Sequence, residues 1–111
     1  MATAKTPRWI SVKDYLVGVA AESVAPVTYG QVSTALRWGQ GVPARRDHLA
    51  GMLRRVSNWC DLNGLPDATA WVVSIKTGQP GSQWAGWSTG ADPDEVRRTA
   101  HPVFRRMVWH M

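Results

Sequence analysis

The sequence of 111 residues is poor in cysteine, in acidic residues and in long apolar runs. Its single cysteine, Cys60, excludes an internal disulfide and is typical of a protein of the reducing cytoplasm. No apolar stretch approaches the roughly 18 residues that a membrane span needs. The first ten residues lack the apolar core of a signal peptide, so we expect a cytoplasmic protein with no membrane partner.

Phenylalanine and tyrosine are also scarce, with one and two copies, whereas tryptophan occurs seven times. Thirteen lysines and arginines outnumber eight acidic residues, which gives a formal net charge of +5. This balance favours a polyanionic partner such as nucleic acid, although many small basic proteins bind none. The length suits one domain, 1–111, whose modest core needs neither disulfide nor metal.

Two N-terminal helices are predicted from capping residues and apolar spacing. After a flexible, basic lead-in at 1–9, Ser11 is expected to cap a helix over 11–23. In the segment VTYGQV, Thr28 and Gln31 match the T-x-x-Q pattern of a capping box. The second helix is therefore expected over 29–38 and is short.

A third helix, over 44–62, carries the strongest amphipathic pattern in the chain. Asn63-Gly64 is expected to end it. Its apolar stripe consists of Leu49, Met52, Leu53, Val56, Trp59 and Cys60.

The remaining elements are a strand, a turn and a C-terminal helix. A β-branched and aromatic run predicts a strand over 69–75, and KTGQPG at 76–81 predicts a turn. The following SQWAGW, at 82–87, is either a short returning strand or an irregular loop. A helix is expected over 92–110, kinked or split at Pro102.

This order of elements is that of an α+β, winged helix-turn-helix-like fold. It consists of three N-terminal helices, a short β-hairpin wing and a C-terminal helix. In such a fold the third helix enters the major groove of DNA, and the wing lies beside it. Fold alone does not prove this function, because small α+β domains reach the same order without binding DNA.

Arginines on the third helix are the candidate contacts to nucleic acid. Arg45 and Arg46 lie near its start, and Arg54 lies further along it. Arginine pairs with phosphates and with guanine edges, and Lys76 at the tip of the wing is a further candidate for the DNA backbone. The alternative is that these side chains only form the solvated face of an amphipathic helix.

Four segments resemble the C-terminal domain of the DNA alkyltransferases and of the alkyltransferase-like proteins. VTYGQV at 27–32 matches the family's V-T-Y-G-x-V segment, and Ala44-Arg45 resembles the start of its recognition helix. ATAWVV at 68–73 takes the place of the family's P-C-H-R-V segment, and TGQPGSQWAGW at 77–87 resembles its glycine-rich loop. The resemblance covers about half of the chain, and only its first segment is specific.

The resemblance implies roles for Tyr29 and Arg45, but this sequence lacks the nucleophilic cysteine of the family. Tyr29 would press on a phosphate of the target nucleotide, and Arg45 would insert into the base stack. Thr69, Ala70 and Trp71 stand where the family has Cys-His-Arg, so alkyl transfer has no nucleophile. For Tyr29, packing of the ring against a neighbouring helix is an equally good interpretation.

No other pattern indicates an enzyme, a metal site or a cofactor. Cys60 falls on the apolar stripe of the third helix and is expected to be structural, and the histidines lack ligand spacing. Trp84 and Trp87, in the glycine-bearing segment, either stack on bases, anchor a protein partner or fold over the core. Trp109 is either a last core contact or part of a dimer face.

The favoured hypothesis is a non-catalytic protein, monomer or homodimer, that binds double-stranded DNA through its third helix and wing. The alternative is a small phage- or mobile-element-encoded protein that binds and modulates a host protein. Salt dependence separates the two, because phosphate contacts weaken steeply as salt rises.

Overall fold

A computed structural model describes residues 8–36 and 46–109, with side chains from Leu49 onward in the second range. The fold is α+β and rich in helix. Four helices run over α1 (Arg8–Glu22), α2 (Tyr29–Ala35), α3 (Arg46–Leu62) and α4 (Pro93–Trp109). Two short strands, β1 (Val27–Thr28) and β2 (Val72–Val73), and two 3₁₀ helices, Ala68–Trp71 and Ala85–Thr89, complete the order. Among the helices within 8–36 and 46–109, none combines the length and the apolar character that a membrane span requires.

Helix α1 begins three residues before its predicted start. Ser11 lies inside the helix, so the predicted cap is wrong, because the chain is already helical from Arg8 and the half-buried Trp9 packs against the core. The predicted apolar face is confirmed: Val12, Leu16 and Ala20 are fully buried. Residues 1–7 of the expected lead-in lie outside the described residues.

The capping box of α2 is confirmed in both directions. The Thr28 hydroxyl accepts a hydrogen bond from the Gln31 N–H at 3.1 Å, and Gln31 Oε1 accepts one from the Thr28 N–H at 2.8 Å. The helix ends at Ala35, before the predicted end at 38. Within α2, Val32 is the one residue that is fully buried. Ala35, at the end of the helix, is exposed.

The amphipathic pattern predicted for α3 is confirmed. Leu49, Val56 and Cys60 are buried, and the other members of the stripe pack partly buried against the same core. The helix ends at the predicted Asn63-Gly64, where Gly64 adopts a φ of 65° that favours glycine. The predicted start at 44–45 lies outside the described residues.

The expected β-hairpin wing is not present in the described residues. β2 pairs with β1 in parallel, with Val27 opposite Val72 and Thr28 opposite Val73. Of the predicted strand 69–75, only two residues are extended, because Asp67 caps a 3₁₀ helix at its start. The SQWAGW segment is the irregular loop of the two alternatives, and its last three residues begin the second 3₁₀ helix.

Helix α4 runs through Pro102 without a break. At its start the Asp92 carboxylate accepts a hydrogen bond from the Asp94 N–H at 3.2 Å, as expected of a capping residue. Because α4 is continuous at Pro102, the predicted split at this proline is not found.

The core lies between α1, α3 and α4 and surrounds the first 3₁₀ helix. Trp71 and Phe104 are its two largest fully buried side chains, and their rings meet edge to face with centroids 5.9 Å apart. The indole Nε1 of Trp71 donates to the Ser23 carbonyl at 2.9 Å, just beyond the end of α1. The first 3₁₀ helix is thus held against α1 and α4, which sets the position of the strand and loop that follow.

Candidate functional site

A groove of about 810 Å³ opens between α3 and the segment that follows β2. We call that segment, residues 74–91, the tryptophan loop. Tyr29, Thr69 of the first 3₁₀ helix and Val72 of β2 also line the groove. A groove of this size suits a nucleotide-sized ligand. The lining of the groove includes Tyr29, Leu53, Arg54, Ser57, Asn58, Thr69, Ser74, Thr77, Gly81, Gln83 and Trp84.

Tyr29 ties the tryptophan loop to the start of α2. Its hydroxyl oxygen accepts a hydrogen bond from the Gly81 N–H at 3.1 Å. A Cβ at position 81 would lie 2.6 Å from that oxygen, so any larger residue there would have to displace the Tyr29 hydroxyl. The hydroxyl still has its own proton to donate. Tyr29 therefore positions the loop, while its proton can serve an acceptor in the groove.

The two tryptophans of the loop have different environments. Trp84 is 9% exposed and lines the groove, and its indole Nε1 has no hydrogen-bond partner among the described residues. Trp87 is 41% exposed, and its Nε1 donates to the Gly81 carbonyl at 2.9 Å. The two rings meet edge to face with centroids 5.1 Å apart. The interpretation that these residues fold over the core holds for Trp84, whereas Trp87 keeps a large exposed surface.

We expect that the change Gly86→Ala destabilises the protein by about 1–3 kcal/mol, the usual cost of overpacking. A Cβ at position 86 would overlap the six-membered ring of Trp84, which is buried and has little room to move. The change Gly18→Ala in α1 is the control, because a Cβ there meets nothing within 4 Å and alanine favours a helix. Urea unfolding followed by circular dichroism measures both. Equal stability of the Gly86 variant and the wild type would contradict the packing of the loop.

Of the predicted basic contacts, the structure describes two side chains. Arg54 lines the groove and spans it, since its guanidinium donates to Gln83 Oε1 at 3.3 Å. Lys76 is exposed in a turn between Ser74 and Thr77, which both line the groove. Arg46 is the first residue of α3, and its side chain, like all of Arg45, lies outside the described residues.

Asp67 was not predicted from the sequence, yet it joins α3 to the first 3₁₀ helix. Its carboxylate accepts from the Ser57 hydroxyl at 3.0 Å, and from the Thr69 hydroxyl and N–H at 2.6 and 2.9 Å. Thr69, the residue that the sequence resemblance would align with a nucleophilic cysteine, is buried, and its hydroxyl donates to Asp67. The Asp-x-Thr spacing is a signal for such a local turn.

The single thiol lies on the apolar stripe and not among the groove residues. Cys60 is 1% exposed, and burial raises the pKa of its thiol, against an opposing effect from the backbone of Ala68. A buried, protonated thiol is a poor nucleophile. Within 8–36 and 46–109, no three histidine, cysteine or acidic residues lie close enough together to hold a metal ion.

Comparisons with protein-family models, with curated proteins and with solved structures found no match to this chain. The resemblance to the alkyltransferase family thus stays a hypothesis that depends on the quoted motifs alone.

Proposed function

We propose that this chain is a non-catalytic DNA-binding protein that uses α3, the groove and the tryptophan loop on duplex DNA. One observation carries the proposal: Tyr29 and Arg54, predicted separately as DNA contacts, line the same groove, and Lys76 lies in the turn at its edge. They come from three distant parts of the chain. A ligand seated along the groove would meet Tyr29 and Arg54 and would pass beside the turn that carries Lys76.

The chemistry of the groove suits a polyanion with polar edges. Its described lining includes hydroxyl and amide side chains, such as Ser57, Asn58 and Gln83, together with the cation of Arg54. No carboxylate side chain is among the described lining residues, and the nearby Asp67 carboxylate accepts hydrogen bonds from the hydroxyls of Ser57 and Thr69, which do line the groove. The net charge of +5 favours the same class of partner.

Positioning on the duplex would come from contacts to phosphates. Arg54 and Lys76 supply cations, and the Tyr29 hydroxyl supplies a proton for a phosphate oxygen. Arg45 and Arg46, at the start of the helix that carries Arg54, are further contacts in this proposal. They lie outside the described side chains and are tested directly.

The non-catalytic part of the proposal is supported by the residues that line the groove. No cysteine or histidine is among the described lining residues, and the Asp67 carboxylate, which is the base nearest to the Ser57 and Thr69 hydroxyls, already accepts three hydrogen bonds. Acyl, alkyl or phosphoryl transfer to a protein side chain needs an activated nucleophile beside a base.

Anisotropy titration of a labelled duplex at low and moderate salt tests the proposal. We expect wild-type affinity to fall steeply with salt, and each of Arg54→Ala and Lys76→Ala to reduce the salt slope by about one. The double variant Arg45→Ala, Arg46→Ala is expected to act in the same direction. Arg106→Ala, which removes one exposed charge from the last turn of α4, is the control. Absence of binding at low salt, or an equal loss in the control, would refute the proposal.

A second candidate is a protein that binds and modulates a host protein, such as a phage- or mobile-element-encoded factor. The observation that favours it is apolar exposure on the tryptophan loop, where Ile75 is 83% exposed beside Lys76. Binding through such an apolar surface would be nearly independent of salt, and Ile75→Ser would weaken it while leaving DNA affinity unchanged.

A further inference from the structure

Trp87 is held in one orientation by contacts on both its backbone and its ring. Its Nε1 donates to the Gly81 carbonyl, its N–H donates to the Trp84 carbonyl at 3.1 Å, and its ring meets that of Trp84 at an interplanar angle of 88°. Trp84 is itself buried. These contacts leave the indole little rotational freedom, so little entropy remains to be lost on binding.

The fixed indole nevertheless exposes 41% of its surface to solvent. It is not itself a lining residue, yet both residues that hold it, Gly81 and Trp84, line the groove. Trp87 therefore lies beside the groove, on the tryptophan loop that also presents Lys76.

A pre-oriented aromatic ring beside a basic groove is the combination that proteins use for unpaired bases. The ring stacks on the base, and nearby cations follow the phosphates. Of the acidic residues that follow on the chain, Asp94 pairs with Arg97 and Glu95 pairs with Arg98, whereas Asp92 accepts a hydrogen bond from the Asp94 N–H. The exposed indole of Trp87, which can stack on a base, favours a nucleic-acid strand over an acidic peptide.

We propose that Trp87 is a stacking platform for an unpaired base, so that this protein prefers DNA with a single-stranded stretch next to the duplex. The proposal depends on the DNA-binding function proposed above. It assigns the duplex to α3 and the groove, and the unpaired strand to the outer surface of the tryptophan loop.

The test compares three labelled DNAs that share one duplex: blunt, extended by unpaired thymidines, and extended by the same number of abasic nucleotides. The abasic extension keeps the phosphates and removes the bases, so it isolates stacking from charge. We expect wild-type protein to bind the thymidine extension about 5- to 150-fold more tightly than the abasic one, which is the gain in affinity that stacking of one base on an aromatic ring provides.

Three variants locate the effect. Trp87→Ala is expected to abolish the preference for bases, and Trp87→Phe to retain part of it because a ring remains. Trp109→Ala is the matched control, since Trp109 is 74% exposed at the end of α4 and is not a lining residue of the groove. Circular dichroism checks that each variant is folded, and the comparison of DNAs with wild-type protein needs no variant.

The outcomes separate this proposal from the one on which it depends. If wild-type protein binds the blunt duplex but does not prefer thymidine over abasic extensions, the platform is refuted and DNA binding stands. A preference that survives in Trp87→Ala also refutes the platform. If none of the three DNAs binds, both proposals fail, and the exposed loop becomes the candidate surface for a protein partner.

Discussion

Replacement of Trp71 by alanine is expected to lower the free energy of unfolding by about 3–5 kcal/mol, the usual range for a buried aromatic residue. Trp71 is fully buried against Phe104, and its Nε1 donates to the Ser23 carbonyl. The change therefore leaves a cavity between α1 and α4 and removes the donor from that carbonyl. A small domain is stable by about 5–15 kcal/mol, so this loss removes a large share of the stability of the protein.

Urea unfolding monitored by circular dichroism measures this loss. Trp109→Ala is the matched control, because Trp109 is 74% exposed and its truncation should change stability by less than about 0.5 kcal/mol. A loss below about 1 kcal/mol for Trp71→Ala would mean that Trp71 is not at the centre of the core, since even small core truncations usually cost that much.

Replacement of Arg97 by alanine is expected to lower stability by about 2–4 kcal/mol. The Arg97 side chain is 4% exposed, and one of its terminal nitrogens donates to the Ala70 carbonyl at 2.6 Å while the other pairs with Asp94. A buried carbonyl that loses its donor costs about 1–3 kcal/mol, and loss of the packed aliphatic stem adds to this. Asp94 is largely exposed, so its carboxylate is rehydrated at little cost.

Arg98→Ala is the control for this prediction. Arg98 pairs with Glu95 across the same spacing on the same helix, but both side chains are 65% exposed, so the loss should stay below about 1 kcal/mol. Arg97→Lys should recover only part of the loss, because the single ammonium group of lysine cannot reproduce both contacts of the guanidinium, to the Ala70 carbonyl and to Asp94. Equal effects of Arg97→Ala and Arg98→Ala would show that the contact to Ala70 does not support the fold.

Trp71 and Arg97 stabilise the walls of the groove as well as the core. Trp71 and Arg97 hold the first 3₁₀ helix between α1 and α4. Thr69, in the same 3₁₀ helix, lines the groove, and β2 leads directly into the tryptophan loop. Conservative substitutions of Trp71 or Arg97 should therefore loosen the groove and weaken ligand binding under conditions in which the protein is still folded.

The positions of the helices were predictable because they depend on neighbours a few residues apart, although α2 ends three residues before its predicted end. The T-x-x-Q capping box of α2, the apolar stripe of α3 and the glycine at its end are all local patterns, and each was confirmed. The start of α1 was missed because the packing of Trp9, a tertiary contact, extends the helix beyond the Ser11 signal.

The candidate site was predictable only as separate residues. Tyr29, Arg54 and Trp84 were each selected from the sequence, and all three line one groove. Asp67 and Gln83 were not selected, because their roles depend on partners 10 and 29 residues away. The difference between a buried Trp84 and an exposed Trp87 likewise depends on how the loop folds back on itself.

The positions of the helices and the basic charge can be read from the order of the residues alone. The pairing of β2 cannot, because it depends on tertiary contacts. A run such as AWVVSI forms an extended strand where a partner strand is in reach, and here the partner is β1, which is parallel to it and distant in sequence. Because strand pairing and groove formation join residues far apart in the chain, they follow from the packing of α1, α3 and α4 and not from any local pattern.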